Sequence, residues 1–196
     1  INKYTLYTIG TILILDLIEP INLRATLLSG QAFRWKYKSG WFDGVIGDTG
    51  IRLREISDVK IEFYCEPDKE EHFTKQLLDY LGYQYNINEI YLSLSKDKSV
   101  ANAINQYHGM RILKQDPWEC MISFICSSAS NIKRITNNIE AICDKFGNPI
   151  SNDTNSRKTF PSAQVLSSVT SEELRNLQKP CKLPFQFFTA IPSATD

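Results

Sequence analysis

The chain is 196 residues long, with 22 acidic and 22 basic side chains and 42% hydrophobic residues, so its formal net charge is zero. That balance excludes a bulk attraction to phosphate, and any nucleic-acid contact has to come from local geometry. Five cysteines without a CxxC pair and only two histidines argue for a reducing compartment and against a disulfide framework, a zinc site or a histidine metal cluster.

The length fits one domain or two small ones. The chain opens on Ile1 instead of Met, which points to a fragment whose true start is missing. An apolar run from Ile9 to Ile18, broken by Asp16, is too short to span a membrane and lacks a signal-peptide charge pattern. It predicts a strand covering a sheet edge. From Leu23 to Tyr64 the pattern is that of an antiparallel meander, with strands at Phe33 to Tyr37, Trp41 to Ile46, Ile51 to Glu55 and Ile61 to Tyr64. The intervening KSG, GDTG and SDVK each supply a turn. A helix follows at Lys69 to Leu81, with Phe73, Leu77, Leu78 and Leu81 inward and Gly82 at its end. Asn88 to Leu94 and Ser99 to Tyr107 read as two more helical pieces, and no internal repeat or low-complexity tract is found.

Two glycines, Gly109 and Gly147, bracket a pair of consecutive helices. Asp116 caps the first, Pro117 sits where its missing N–H costs nothing, and Glu119 completes a capping box. Trp118, Met121, Ile122 and Ile125 share one apolar face with Phe124 at its edge, which predicts burial over much of the circumference. Small residues from Ser127 to Ser130 interrupt it. A second helix begins near Asn131, because Ile132, Ile135, Ile139, Ile142 and Phe146 recur at helical spacing while Lys133, Arg134, Asn137, Asn138 and Glu140 take the opposite face. Lys145 and Gly147 end it. Periodicity alone makes this a core helix pair.

Three ordered strings say more. RILKQDPWECMISFICSS followed by NIKRI, SGQAFRW at Ser29 to Trp35, and FPSAQVLSSVTSEELRNL from Phe160 to Leu177 together resemble eukaryotic-type 8-oxoguanine DNA glycosylases of the helix-hairpin-helix superfamily. The resemblance runs from about Leu23 to Leu177. It implies an α+β fold: a twisted antiparallel sheet with helices on one face, TATA-binding-protein-like, followed by a partial all-α helix-hairpin-helix glycosylase domain. The corresponding divisions are 1–100 for the sheet domain, 101–177 for a truncated helical domain and 178–196 for an unrelated, irregular tail.

The resemblance also implies chemistry. Oxidation turns an acceptor nitrogen of the guanine imidazole ring into an N–H donor, and a single backbone carbonyl can then accept from the lesion and repel the normal base. In the family that carbonyl belongs to the glycine of SGQ, here Gly30, where the absent side chain lets the backbone approach an extruded base. Without the family match, Gly30 reads as a turn glycine. Gln31, Phe33 and Trp35 are expected to support the loop by packing.

Where the family carries three asparagines in the loop that fills the vacated stack, this chain has Ala129, Ser130 and Asn131, so the residue that enters the hole has lost its hydrogen-bonding group. Arg134 matches the arginine that donates to the orphaned cytosine. On position alone it reads equally well as a solvated charge of the helix.

The nucleophilic lysine after a Leu-Pro-Gly-Val-Gly hairpin and the later aspartate of the family have no counterpart in these residues, so no catalytic residue is assigned. Lys179 and Lys182 lie in QKPCKLPFQFFTAIPSATD with neither a hairpin nor a partner carboxylate and read as surface lysines; Phe185, Phe187 and Phe188 of the same stretch would be costly to expose. No metal and no cofactor are implied.

The expected partner is double-stranded DNA containing oxidised guanine, bound by a monomer with no membrane association, at an intracellular, DNA-associated location (the nucleus in a eukaryote, the cytoplasm or nucleoid otherwise). Three readings follow: a base-excision repair glycosylase/AP lyase seen incomplete, a non-catalytic damaged-DNA-binding module, and an inert truncation product of marginal stability.

Overall fold

A computed structural model describes residues 4–9, 12–64, 69–127, 130–150 and 156–177. The chain divides into two compact units, one of residues 1–46 and 51–114 and the other of 47–50 and 115–196. The first is built on a six-stranded sheet of β1 (Tyr4–Ile9), β2 (Ile12–Leu17), β3 (Lys36–Lys38), β4 (Trp41–Ile46), β5 (Thr49–Ser57) and β6 (Lys60–Tyr64), in the order β1-β2-β6-β5-β4-β3. The pairings β1–β2, β2–β6, β5–β6 and β3–β4 are antiparallel. Ser39 and Gly40, at φ 51° and 85°, turn β3 into β4. Two successive positive φ angles match the right-handed twist of the flanking strands, which is why the KSG signal makes a tight hairpin.

The apolar run expected at the sheet edge is β2, and it lies inside the sheet between β1 and β6. Its alternation buries Leu13, Leu15 and Leu17. The edge is formed instead by β1, whose sequence YTLYTI is rich in branched and aromatic residues. The meander also starts later than expected. Leu23–Leu27 is a short helix, α1, because Asn22 caps it through an Oδ1 that accepts from the Ala25 N–H at 2.8 Å.

The sheet, α1 and α2 (Glu70–Tyr80) close one core. Leu13, Leu15, Ile51, Leu53, Ile61 and Phe63 face Leu23 and Leu27 of α1 and Phe73 and Leu77 of α2 in a single cluster. The Phe63 and Phe73 rings stack at 5.7 Å. Each fully buried side chain of this size stabilises the fold by roughly 1.5–3 kcal/mol relative to exposure. Two further helices, α3 (Ile87–Leu94) and α4 (Lys98–Gln106), are capped by Asn86 and Asp97. They bury little: α3 only Ile87, α4 no residue. With the segment up to Lys114 they line an apolar cavity of about 490 Å³, whose walls include Tyr85, Ile90, Leu94, Tyr107 and Ile112.

The second unit holds α5 (Pro117–Ser127), α6 (Ile132–Phe146), α7 (Ala163–Ser167) and α8 (Ser171–Arg175). The predicted cap forms, with Asp116 Oδ1 accepting from the Glu119 N–H at 2.9 Å, and α6 starts where expected, capped by Asn131, whose Oδ1 accepts from the Arg134 N–H at 3.0 Å. Two expectations change. Burial on α5 is a narrow stripe of Ile122, Ser123 and Cys126, and Met121 and Phe124 are 47% and 78% exposed. On α6 the buried set is Ile135, Asn138, Ile139, Ile142 and Cys143, with Ile132 56% exposed. Asn138 falls inside because it is three residues beyond Ile135, on the stripe that helical geometry defines whatever the residue. Among the described residues no helix is long and apolar enough to cross a membrane.

Candidate functional site

The Ser29–Gly30–Gln31 corner follows directly on α1, in the first unit. Gly30 adopts φ 87°, in the left-handed region where a β-carbon costs roughly 1–2 kcal/mol. The glycine is therefore required by the backbone at that corner. Gln31, expected to act by packing, acts by hydrogen bonding. Its Nε2 donates to the Thr26 carbonyl at 3.2 Å and the Arg111 carbonyl at 2.9 Å, and its Oε1 accepts from the Leu113 N–H at 3.1 Å. Trp35 does pack: it is buried, its Nε1 donates to Tyr80 Oη at 2.9 Å, and its ring lies over Gly44.

Behind the corner is a buried polar network that the sequence reading missed. The Arg111 N–H donates to Thr26 Oγ1 at 3.1 Å, and its Nη2 donates to Glu19 Oε2 at 2.9 Å, with side chains 3% and 9% exposed. The Arg111 guanidinium also lies 4.3 Å from the Tyr83 ring centre and reaches the carbonyls of Gly82 and Tyr85 at 3.4 Å. Tyr83 Oη accepts from the Glu19 N–H at 2.7 Å and donates to the Glu19 carbonyl at 3.1 Å. Burial pushes the Tyr83 phenol above its ordinary range, against the lowering effect of its Glu19 backbone bond and of Arg111. One signal was present: in the extended run Met110 to Leu113, Arg111 shares parity with the buried Leu113 and so points to the same side.

Ser130, Asn131 and Arg134 belong to the second unit. Asn131 is the N-cap of α6 and Arg134 stands exposed on its first turn beside exposed Lys133. Two cations at the positive end of a helix dipole make this tip attractive to anions and to acceptor-rich edges. Ser130 Oγ is buried and has no hydrogen-bond partner among the described residues. Ala129, Lys179 and Lys182 lie outside the described residues. The arrangement thus offers a glycine-carbonyl corner in one unit and a guanidinium donor with a polar cap in the other.

A family model for the 8-oxoguanine DNA glycosylase N-terminal domain matches residues 13–121. The chain is 34% identical over 163 residues to the N-glycosylase/DNA lyase OGG1 of Arabidopsis thaliana, covering 79% of this chain and 44% of that protein. It is 33% identical over 170 residues to the N-glycosylase/DNA lyase of Saccharomyces cerevisiae, covering 79% and 45%. Among solved structures, MBOgg1 in complex with a low-affinity DNA ligand superposes with a TM-score of 0.80 at 33% identity, covering 90% of this chain and 60% of that one. The chain thus spans a little under half the length of these two curated relatives. With the family's N-terminal domain matched over more than half of its residues and the same fold in a 33%-identical structure, the chain belongs to the 8-oxoguanine DNA glycosylase family.

Proposed function

We propose that these residues are the damage-inspecting part of a base-excision repair protein that takes double-stranded DNA carrying oxidised guanine. In this reading the Gly30 carbonyl accepts from the N–H that oxidation creates on the imidazole ring, while an undamaged guanine presents a repelling acceptor there. Arg134 donates to the acceptor edge of the orphaned cytosine, and Ser130 and Asn131 lie along the vacated stack. The observation that carries the reading is Gly30 itself, at φ 87° inside the SGQ string. The division into a sheet part to residue 100, a helical part from 101 to 177 and a tail from 178 to 196 belongs to the same proposal, as do a monomeric state and an intracellular, DNA-associated location.

No residue of the 196 is assigned the bond-breaking step. Fluorescence anisotropy tests the reading with two duplexes that differ only by one oxidised guanine opposite cytosine. Tighter binding to the damaged duplex, with no strand nicking and no adduct trapped by borohydride, is the expected result. Equal affinities would overturn it, and a trapped amine adduct would show that one of the chain's amines does attack the sugar.

A further inference from the structure

We propose that Gln31 is the positioning residue of the base-reading corner, holding the Gly30–Gln31 peptide in one orientation against the Arg111–Leu113 segment; this rests on the reading of Gly30 given above. The carbonyl assigned to base reading lies in the peptide that joins Gly30 to Gln31. Its direction is set by two torsions, the ψ of Gly30 and the φ of Gln31. Glycine restrains its own torsions least of all residues, so the constraint has to come from the neighbour.

Gln31 supplies it. A primary amide has two donor hydrogens and an acceptor oxygen, and here both functions are engaged with main chain: Nε2 with the carbonyls of Thr26 and Arg111, Oε1 with the N–H of Leu113. The side chain therefore ties the corner to α1 behind it and to two alternate residues of one extended segment. That segment is itself fixed. The Arg111 N–H is held by Thr26 Oγ1, and the Arg111 guanidinium by Glu19, by the carbonyls of Gly82 and Tyr85 and by the Tyr83 ring. Asparagine would be one methylene too short for both contacts. Methionine has the length and neither hydrogen-bonding function. Glutamate recovers one donor only when protonated.

The test uses the full chain with Gln31→Met and Gln31→Glu and reads two quantities. The first is independent of DNA: amide hydrogen exchange of Leu113 and the carbonyl carbon resonance of Gly30. The second is the ratio of affinities for the damaged and undamaged duplexes. For Gln31→Met the expected results are an unchanged far-ultraviolet spectrum, Leu113 exchange at least tenfold faster, a displaced Gly30 carbonyl signal, and a ratio falling towards one with affinity for undamaged duplex retained. Gln31→Glu keeps an acceptor for the Leu113 N–H at every pH but has no donor for the Arg111 carbonyl at pH 7.5. Its Gly30 carbonyl signal should therefore be displaced and its ratio lowered there, and both should recover in part near pH 5, a rescue that a purely space-filling role would not produce.

Retention of the ratio by Gln31→Met overturns the proposal even if Leu113 is deprotected, and leaves the reading of Gly30 standing. A wild-type chain that does not discriminate at all ends that reading, and the two nuclear resonance signals then decide alone whether Gln31 fixes the corner. Should Gln31→Met fail to fold, the pH dependence of Gln31→Glu carries the decision, and its absence overturns the proposal.

Discussion

At the residue scale, two glycines with nearly the same φ separate conformational need from function. Gly30 sits at 87° and Gly40 at 85°, and nothing stands within 4 Å of a β-carbon built on Gly40. Gly40→Ala therefore measures backbone strain alone, about 1 kcal/mol. Gly30→Ala should lose at least that much stability in urea unfolding and, unlike Gly40→Ala, also lose preference for the damaged duplex. Equal preference in the two variants would detach Gly30 from base reading. A different constraint holds at Gly44, where an added methyl group would enter the Trp35 ring, and that ring is fixed by its bond to Tyr80. Gly44→Ala should lower stability by roughly 1–3 kcal/mol through overpacking, seen as a lower urea midpoint at constant m. An unchanged midpoint would mean that the indole can withdraw. The role proposed for Gly30 was legible only through the family resemblance that the SGQ string helps to carry, because by local signals alone it reads as a turn glycine.

Elements were more legible than their burial. The KSG and SDVK turns, the cap at Asp116 and the helix start near Asn131 are local signals, and local geometry realises them. What periodicity could not give was how much of each apolar face is covered: Phe124 and Ile132 lie on predicted faces and stand exposed, and Asn138 lies on a predicted polar face and is buried. The stripe is fixed by helical geometry, but its width depends on partners that the helix's own sequence does not contain.

A cap that was not predicted lies at α8, where Thr170 and Glu173 form a reciprocal box. The Thr170 backbone N–H, then its hydroxyl, holds the Glu173 carboxyl below its usual range. Because that carboxyl is depressed in the folded chain, its contribution is present above the ordinary glutamate range and is lost as pH falls through the folded value. A carbon-13 titration of Glu173 should show the lowered midpoint, and Thr170→Ala should raise it part of the way, since the backbone donor remains. No movement would leave the hydroxyl without a role.

For the whole molecule, the least legible feature is the one that closes the first unit. Glu19 and Arg111 are 92 positions apart, and neither position announces a buried charge by itself. Removing one partner of such a pair leaves the other uncompensated and costs about 3–5 kcal/mol, while removing both leaves much less to compensate. Arg111→Met should therefore unfold at markedly lower urea than the double variant Glu19→Gln/Arg111→Met. A double variant as unstable as the sum of the singles would show that the two charges do not depend on each other.

The apolar cavity has a consequence of its own. Every residue that walls it comes from one uninterrupted stretch, Gly82 to Lys114, and the two helices of that stretch bury a single side chain between them. Those two helices can swing loose while the sheet keeps its pairing and the segment of buried Arg111 and Leu113 stays in place, a partial melting that needs far less energy than global unfolding. Brief trypsin treatment of the native chain should accordingly nick first at Lys96, in the link between α3 and α4, or at Lys98, the first residue of α4, and leave the strands joined. The hollow then has one fixed wall, the Arg111–Leu113 segment, and one wall that can part from it, α3 and α4, so that anything seated between them would act as a splint on that arm.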